Sequence, residues 1–438
     1  MKKILIIQTD APSFLHPTLS VIHRYLRELP DTEITLLMNA HSFEALKNQF
    51  PGFPHRVCFE EAEIMGEIFD SGVNLSLIES SWKLLECLDI RKRLGIYTQK
   101  EQIRVSDHWS TYLLTLKSPV PFLSFHLEEI YRNILGIGQA PEIKEEDFHL
   151  KRFVFALSPT ALFPAGEQEA LLNLLAKRFP GIPILDISET KVEDQEGAFF
   201  IGPAGPEPLL VNYPQNLLLQ KKFQGSNLLP TNSTWILTTQ VQSFTAARVM
   251  EALEKILGKN EEIAEELSLY RFRFSEEGDS FIEQVCGQEE SYPIYLAYFV
   301  LWSFVLGLKE FEPAFPTINP TQKEFIRFYL GILKKIARFH TYALASLDIL
   351  LAEAKSSSSD SQIIEGHLEN LRQIDETLRK LSDSHPMLRP LLDFYHIRRG
   401  QNDGSHFREQ VENSLLIYHE EHQAFTAFQE LLETIERR

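Results

Sequence analysis

Two side chains that can accept a proton lie near the N-terminus, in the stretch IIQTDAPSFLHPTLSVI of residues 6–22. Asp10 provides a carboxylate and His16 an imidazole, groups that serve widely as general bases. The stretch comes after an apolar run, where a dinucleotide-binding domain keeps its glycine-rich first turn, yet it contains no glycine. It therefore raises the question of a catalytic loop built without the usual glycines.

Two other residue pairs have a spacing that could serve a chemical function, but each is a weaker indication of a site. His419 and His422 lie three apart in HEEH, within reach of one metal ion if they share a helix, but a third ligand and the HExxH order are missing. A solvated helix face is the favoured interpretation, and we expect no metal. Gly136 and Gly138 follow a helical segment rather than a strand, which indicates a helix stop instead of a nucleotide fingerprint.

The elements that must position Asp10 and His16 alternate in type. Apolar runs at 4–7, 34–38 and 55–59 predict strands, and apolar residues at helical spacing predict helices over 15–29 and 41–50. Strands that alternate with helices predict parallel βαβ units.

A second series of the same kind follows, and then the pattern becomes helical. Predicted strands are 153–157, 182–187, 198–201, 216–219 and 235–238, with helices at 166–178 and 245–257. Further helices are predicted over 261–269, 293–308, 320–354, 362–382, 387–399 and 404–436. The chain is thus predicted to have three domains: residues 1–150 and 151–258, both Rossmann-like, and an α-helical domain over 259–438.

Composition excludes several classes of function. The net charge of −18 would repel a nucleic acid, so no nucleic-acid partner is expected. Cys58, Cys87 and Cys286 show no paired spacing and are expected to be reduced and buried. The apolar run 294–308 is shorter than the ~20 residues that span a bilayer, so a buried helix and no integral membrane segment are predicted. The expected location is the cytoplasm, with peripheral association at the inner membrane left open.

Four motifs resemble those of family-nine glycosyltransferases, the ADP-heptose:lipopolysaccharide heptosyltransferases and their relatives. They are KILII followed by Thr18 and Leu19, SFHLEEIYRNILGI at 124–137, SPTA followed by Phe163 and Pro164, and FIGPAGPEPLL at 200–210. The match spans roughly residues 1–257. This resemblance implies a GT-B arrangement of two Rossmann-like domains, the first on the acceptor side and the second on the donor side.

The resemblance also implies a catalytic base in the first loop. The family carries a Gly-Asp pair there, whose carboxylate takes the proton of the acceptor hydroxyl. Alignment on Thr18 and Leu19 puts Ser13 and Phe14 at that place, and phenylalanine cannot accept a proton. Asp10 or His16 is therefore expected to take over the role.

The donor side departs from the family as well. The loop 158–164 contains no lysine or arginine, although the family usually keeps a basic residue there, and the late turn loses the family's acid and histidine while keeping the glycine-proline frame. Gly205 and a following helix N-terminus could still present N–H groups to a phosphate. The implied donor contacts are Ser158, Thr160, Gly202, Gly205 and Glu207.

Two functions of different class follow from the resemblance. In the first, the protein is a glycosyltransferase that moves a sugar from a nucleotide sugar to a cell-envelope glycan or a protein. Heptose is one candidate for the sugar, and the donor is expected to be an ADP-sugar. This donor is a substrate, and no cofactor is expected. In the second, catalysis is lost and the protein is a scaffold or adaptor. Its helical domain would then bind a protein partner through a groove lined by 395–399, Arg372, Arg379 and Lys380.

Overall fold

The computed structural model describes residues 2–46, 56–118, 124–137, 154–157, 162–186, 198–203, 215–220, 233–239, 243–259, 263–274, 280–287, 291–308, 315, 317–356, 360–402 and 404–438. Within these ranges the chain forms two mixed α/β sheets followed by long helices. The predicted class of α/β sheets followed by an all-α C-terminal part is confirmed for the described residues, whereas the GT-B arrangement and the domain bounds stay predictions.

The first sheet has the strand order β3-β2-β1-β4-β5-β6 among the described residues, and all neighbours are parallel except β5 and β6. Its strands are β1 Lys2–Gln8, β2 Thr32–Met38, β3 Arg56–Cys58, β4 Ile68–Asn74, β5 Asp89–Gln99 and β6 Gln102–Val105. The helices of this part are α1 Pro12–Glu28, α2 Ala40–Leu46, α3 Glu79–Cys87, α4 His108–Thr115 and α5 Leu127–Leu135.

Side chains of β1 alternate between the two faces of the sheet and build two cores. Ile4 and Ile6 pack with α1, α4 and α5, whereas Leu5 and Ile7 pack with α3. A strand buried on both faces reads as a continuous apolar run, which is why KILII predicted it. Helices α1 and α3 therefore cover opposite faces of the sheet.

A glycine lets the chain bend where β5 passes the end of β4. Gly95 has φ +80°, and a Cβ there would lie 2.0 Å from the carbonyl oxygen of Asn74. Only glycine adopts this conformation without strain.

Replacing Gly95 by alanine is therefore expected to lower the free energy of unfolding by more than about 1 kcal/mol. Gly366→Ala is the control, since Gly366 lies in a helix with nothing near a built Cβ, and it is expected to stabilise by about 0.5–1 kcal/mol. Denaturant unfolding of both variants checks this; equal stability of Gly95→Ala and the native protein would contradict it.

The second sheet has the order β13-β12-β11-β10-β9-β7-β8 among the described residues. Its strands are β7 Val154–Leu157, β8 Ile184–Asp186, β9 Ala198–Pro203, β10 Gln215–Gln220, β11 Ser233–Thr239, β12 Leu267–Phe274 and β13 Ser280–Cys286, and its helices are α6 Glu167–Arg178 and α7 Ala246–Ile256. The run β8-β7-β9-β10-β11 is parallel throughout, whereas β12 pairs antiparallel with both β11 and β13.

The helix predicted over 261–269 is wrong. Residues from Leu267 onward form β12, which pairs with β11 and with β13, so the sheet continues to Cys286. The strand register shifts between Leu269 and Tyr270. Such a bulge moves the apolar residues from odd to even positions and hides the period of two that marks a strand.

The helical part contains α8 Tyr292–Val305, α9 Pro320–Lys355, α10 Ser361–Ser384, α11 Arg389–Gly400 and α12 Phe407–Arg437. Helix α8 is buried along most of its length, as the apolar run predicted. No helix in the described part of the chain is both long and apolar enough to cross a bilayer. Asn319 and Gln322 form a capping box at the start of α9, which agrees with the start expected at Pro320.

An aromatic cluster joins this helical part to the first sheet. Tyr112 of α4 packs edge-on against Trp302 of α8 at 4.9 Å between ring centroids, and Trp302 packs against Phe394 of α11 at 5.2 Å. Phe125 and Phe299 add a contact at 5.3 Å. Buried aromatic rings contribute large apolar area, so this junction is a true core rather than a surface contact.

Two details of the sequence interpretation are corrected by burial. Cys58 is buried and Cys286 half-buried, but Cys87 is exposed; all three are free thiols. Tyr395 is buried and the Arg399 side chain is only 10% exposed, so neither can line an open groove for a partner. Arg372, Arg379 and Lys380 are exposed on α10.

Candidate active site

The strand order of the first sheet creates a crevice at one edge. From β1 the chain runs outward to β2 on one side, and from β4 it runs outward to β5 on the other side, so the order reverses between β1 and β4. The helices that follow, α1 and α3, cover opposite faces. In open α/β sheets ligands bind at such a switch point, beyond the carboxyl ends of the strands.

Asp10 lies at this switch point. Helix α1 begins at Pro12, three residues earlier than predicted, because proline suits the first helical position. The loop from β1 to α1 is thereby reduced to Thr9, Asp10 and Ala11. The Oδ2 atom of Asp10 accepts a hydrogen bond from the N–H of Leu77, just beyond β4, at 3.0 Å. One carboxylate thus bridges the two strand ends that flank the crevice.

The main chain of Asp10 is fixed on two further sides. Its N–H donates to Oε1 of Gln8 at 3.1 Å, and its carbonyl accepts from the hydroxyl of Ser42 at 3.2 Å. Gln8 in turn donates from Nε2 to the hydroxyl oxygen of Tyr131 on α5, at 3.1 Å. The carboxylate is therefore presented by a rigid frame drawn from β1, α2 and α5.

Burial sets the acidity of this carboxyl. Asp10 is 9% exposed, and this burial raises its pKa; the hydrogen bond from Leu77 and the hydroxyl of Ser76 oppose the shift without cancelling it. A carboxylate with a raised pKa is a stronger base than an ordinary aspartate. Tyr131 is fully buried, and burial together with the charge of Asp10 raises its pKa well above the usual value, so it stays a neutral phenol.

The second base candidate lies on a helix instead of in the loop. The backbone of His16 belongs to α1, and its side chain is outside the described residues. Phe14 is partly buried and packs against the main core, which explains why an apolar side chain occupies the place that the family resemblance gives to the base. The assignment of Asp10 or His16 as base stays a prediction.

The donor candidates cluster in sequence around the switch point of the second sheet. There β7 is followed by β8 on one side and β9 by β10 on the other, so the order reverses between β7 and β9. Gly202 is buried within β9. Ser158 and Thr160, which follow β7 in the sequence, and Gly205 and Glu207, which follow β9, lie outside the described residues and stay predictions.

Several residues of the first crevice escaped sequence reasoning. Ser76 and Leu77 follow β4, whose sequence IFDSGVN is interrupted by Asp70, Ser71 and Gly72 and was not recognised as a strand. The usable signal was the apolar pair Phe69 and Val73, which is buried at this strand.

Comparison with known proteins gives structural likeness only. No family model and no curated protein matches the chain. Among solved structures, the E. coli heptosyltransferase WaaC with ADP is similar with a TM-score of 0.39 at 13% identity, over 59% of this chain and 98% of that chain. A glycosyl transferase of family 9 from Veillonella parvula has a TM-score of 0.37 at 10% identity, over 59% and 98%. The E. coli ADP-heptose lps heptosyltransferase II has a TM-score of 0.35 at 13% identity, over 59% of this chain and 99% of that chain.

These structures belong to the family that the sequence motifs resemble. At such identities a likeness concerns the course of the chain alone, and fold by itself does not establish activity. The α/β class of this protein rests on its own two sheets and their switch points.

Proposed function

We propose that this protein is a metal-independent glycosyltransferase that transfers a sugar, heptose by resemblance, from an ADP-sugar to a cell-envelope glycan or protein in the cytoplasm, at or near the inner membrane. One observation carries the proposal. A buried carboxylate with a raised pKa, Asp10, bridges the two strand ends at the switch point of the first sheet. That position combines a ligand crevice with a base.

The chemistry assigned to Asp10 is a single proton transfer. The acceptor hydroxyl oxygen forms a bond to the anomeric carbon of the donor sugar, while the bond from that carbon to the diphosphate oxygen breaks. The hydroxyl proton moves to the Asp10 carboxylate, and the nucleoside diphosphate leaves with the electron pair of the broken bond. Because Leu77 N–H holds Oδ2, the other carboxylate oxygen, Oδ1, is assigned to the proton.

A specific observation supports the second candidate, a scaffold without catalysis. Phe14, which aligns with the base of the family, packs against the core and has no polar atom. The protein would then keep the frame of a glycosyltransferase while its helical part binds a partner.

Thermal-shift measurement with ADP-heptose, ADP, a UDP-sugar and a GDP-sugar separates the two candidates. The enzyme is expected to be stabilised by the adenine ligands, by about 2.7 kcal/mol at one hundred times the dissociation constant. Free heptose without nucleotide is the control and should give no shift. No shift with any nucleotide would contradict the proposal and favour the scaffold.

A further inference from the structure

Helix α9 carries a line of exposed side chains that repeats every seven residues. The line consists of Phe328, Lys335, Tyr342 and Ile349. Its three apolar members, Phe328, Tyr342 and Ile349, are 55%, 65% and 41% exposed. A repeat of seven keeps side chains on one side of a helix, as in a coiled coil. The outer face of α9 therefore presents a ridge that no other described part of the chain covers.

A second line runs beside this ridge and is made mostly of small residues. Its members are Gly331, Arg338, Ala345 and Ala352, which are all exposed. A Cβ built at Gly331 would lie in open space. Together the two lines alternate in steps of three and four residues, the spacing of the a and d positions of a coiled coil. The face is therefore a ridge with a shallow groove beside it; we call it the α9 seam.

The ridge of one copy fits the groove of a second copy that runs antiparallel. In such a pair Arg338 lies opposite Tyr342 of the second copy, a cation–π arrangement that occurs twice. The spacing then fixes the other layers, which are Lys335 with Ala345, Gly331 with Ile349 and Phe328 with Ala352. Large side chains thus meet small ones, which is how ridges pack into grooves. A parallel pair would instead set Lys335 against Lys335 and Arg338 against Arg338, and like charges disfavour it.

The charges beside the α9 seam are complementary in the same orientation. Lys334 and Asp348 are exposed at its edge, and within the described part of the chain neither has an ion-pair partner. The antiparallel layers bring Lys334 of each copy close to Asp348 of the other, so two ion pairs form across the interface. Flanking charges of this kind determine partner and orientation in coiled coils.

Helix α10 extends this complementarity. The N–H of Asp360, just before α10, donates to Oε2 of Glu353 at 2.9 Å. At the other end of α10, the ring centroid of His385 lies 5.8 Å from that of Phe328. The two helices are therefore antiparallel, and the exposed Glu365 lies beside the C-terminal half of α9. That half receives the basic N-terminal half of the second α9, so the interface is locally balanced although the chain has a net charge of −18.

We propose that α9 pairs with α9 of a second copy of this chain, in an antiparallel two-fold interface. The same patch then serves both copies, as in most soluble homodimers. The α9 seam, from Phe328 to Ala352, is about 36 Å long at 1.5 Å per residue. This dimer is independent of the proposed sugar transfer, since it involves the helical part alone.

Sedimentation velocity of the full chain over micromolar concentrations tests the dimer. The native protein is expected to change from monomer to dimer as its concentration rises. Tyr342→Lys is expected to raise the dissociation constant of the dimer by about tenfold or more, because it removes the ring and sets a cation opposite Arg338. Leu416→Lys is the matched control, since Leu416 is 62% exposed on α12, outside the α9 seam; its dimer should be as tight as the native one.

Exchange of the edge charges tests the orientation. Lys334→Glu and Asp348→Lys each put two like-charged pairs into the dimer, so each variant alone should dimerise about fivefold or more weakly. An equal mixture of the two variants puts opposite charges at both places and should dimerise as tightly as the native protein. Only the antiparallel pair gives this rescue.

A chain that stays monomeric at every concentration would overturn the inference, and so would a dimer that Tyr342→Lys and Leu416→Lys weaken equally. Absence of rescue in the mixture would also reject it. Vesicles of phosphatidylglycerol probe a different occupant of the basic half of α9. Co-sedimentation of monomeric protein with these vesicles, lost in Lys334→Glu, would assign the face to a membrane and reject the dimer.

Discussion

Asp10→Asn is expected to lower the rate of sugar transfer by about 10²–10⁴-fold, the usual contribution of a positioned general base. Asparagine keeps an oxygen that can accept the hydrogen bond from Leu77, so the loop should keep its shape. What it loses is the ability to take a proton. Turnover is measured as nucleoside diphosphate released from the donor in the presence of cell-envelope glycan.

The same substitution has a predicted effect on stability. Burial raises the pKa of Asp10 in the folded protein, so folding favours the protonated carboxyl. That contribution is fully present below the unfolded pKa of an aspartate, about 3.9, and is lost as the pH rises through the folded value. Asparagine imitates the protonated form, so Asp10→Asn should be more stable than the native protein at pH 7 and no more stable at pH 3.

Asp31→Asn is the control for both measurements, because Asp31 is exposed in the turn before β2; it should leave turnover and stability unchanged. Turnover that survives Asp10→Asn but is lost in His16→Ala would transfer the base to His16. Turnover unchanged in both variants would eliminate both assignments.

Arg399→Met is expected to destabilise the helical part by about 3–5 kcal/mol, the cost of removing one partner from a buried ion pair. The guanidinium of Arg399 on α11 contacts Glu421 of α12, and its Nε lies 3.0 Å from Oδ1 of Asp375 on α10. His340 of α9 completes the group, with Nε2 at 3.2 Å from Glu421 Oε1. Four helices therefore meet at one charge cluster, in which Arg399, Glu421 and His340 are buried and Asp375 is 38% exposed.

The pH dependence of this cluster has a defined sign. Burial alone would raise the pKa of Glu421, but the charge of Arg399 and the neighbouring His340 hold it below its usual range. The stability it contributes is present above the unfolded pKa of a glutamate, about 4.3, and is lost as the pH falls through the lower folded value. The difference between the native protein and Arg399→Met should shrink on this acidic side.

Arg372→Met is the matched control. Arg372 also pairs with two carboxylates, Glu369 and Glu376, but on the exposed face of α10. Exposed pairs contribute little, so this variant should unfold at the same urea concentration as the native protein. Similar destabilisation by both substitutions would contradict the distinction between the buried and the exposed cluster.

The sequence allowed the prediction of elements whose own residues carry the signal. KILII is apolar on both faces and is recognisable as β1, and the start of α9 follows from Pro320. Helix α1, predicted to start at Leu15, begins at Pro12 instead. Strand β12 was lost because its bulge at Leu269 and Tyr270 breaks the alternation. The pattern of apolar residues along one segment fails to predict a strand where pairing with a neighbouring strand determines the backbone geometry.

Contacts between distant segments were beyond such reasoning. Arg399 and Glu421 look like ordinary solvated helix residues, and their burial depends on packing among four helices. Asp10 is a candidate from the sequence because it lies in the loop after β1, but its partner Leu77 gives no such signal, because β4 is not recognisable from its residues. The sequence therefore indicates the half of the crevice that follows β1 and not the half that follows β4.

Calorimetric titration of ADP-heptose into the native protein and into Asp10→Asn tests the central claim most directly. The account predicts binding in the micromolar range with nearly equal affinity in both, since Asp10 acts on the acceptor hydroxyl and not on the donor. Turnover should be about 10²–10⁴-fold lower in Asp10→Asn than in the native protein. The account would be contradicted if ADP-heptose bound neither the native protein nor Asp10→Asn. It would also be contradicted if Asp10→Asn and His16→Ala both kept full turnover.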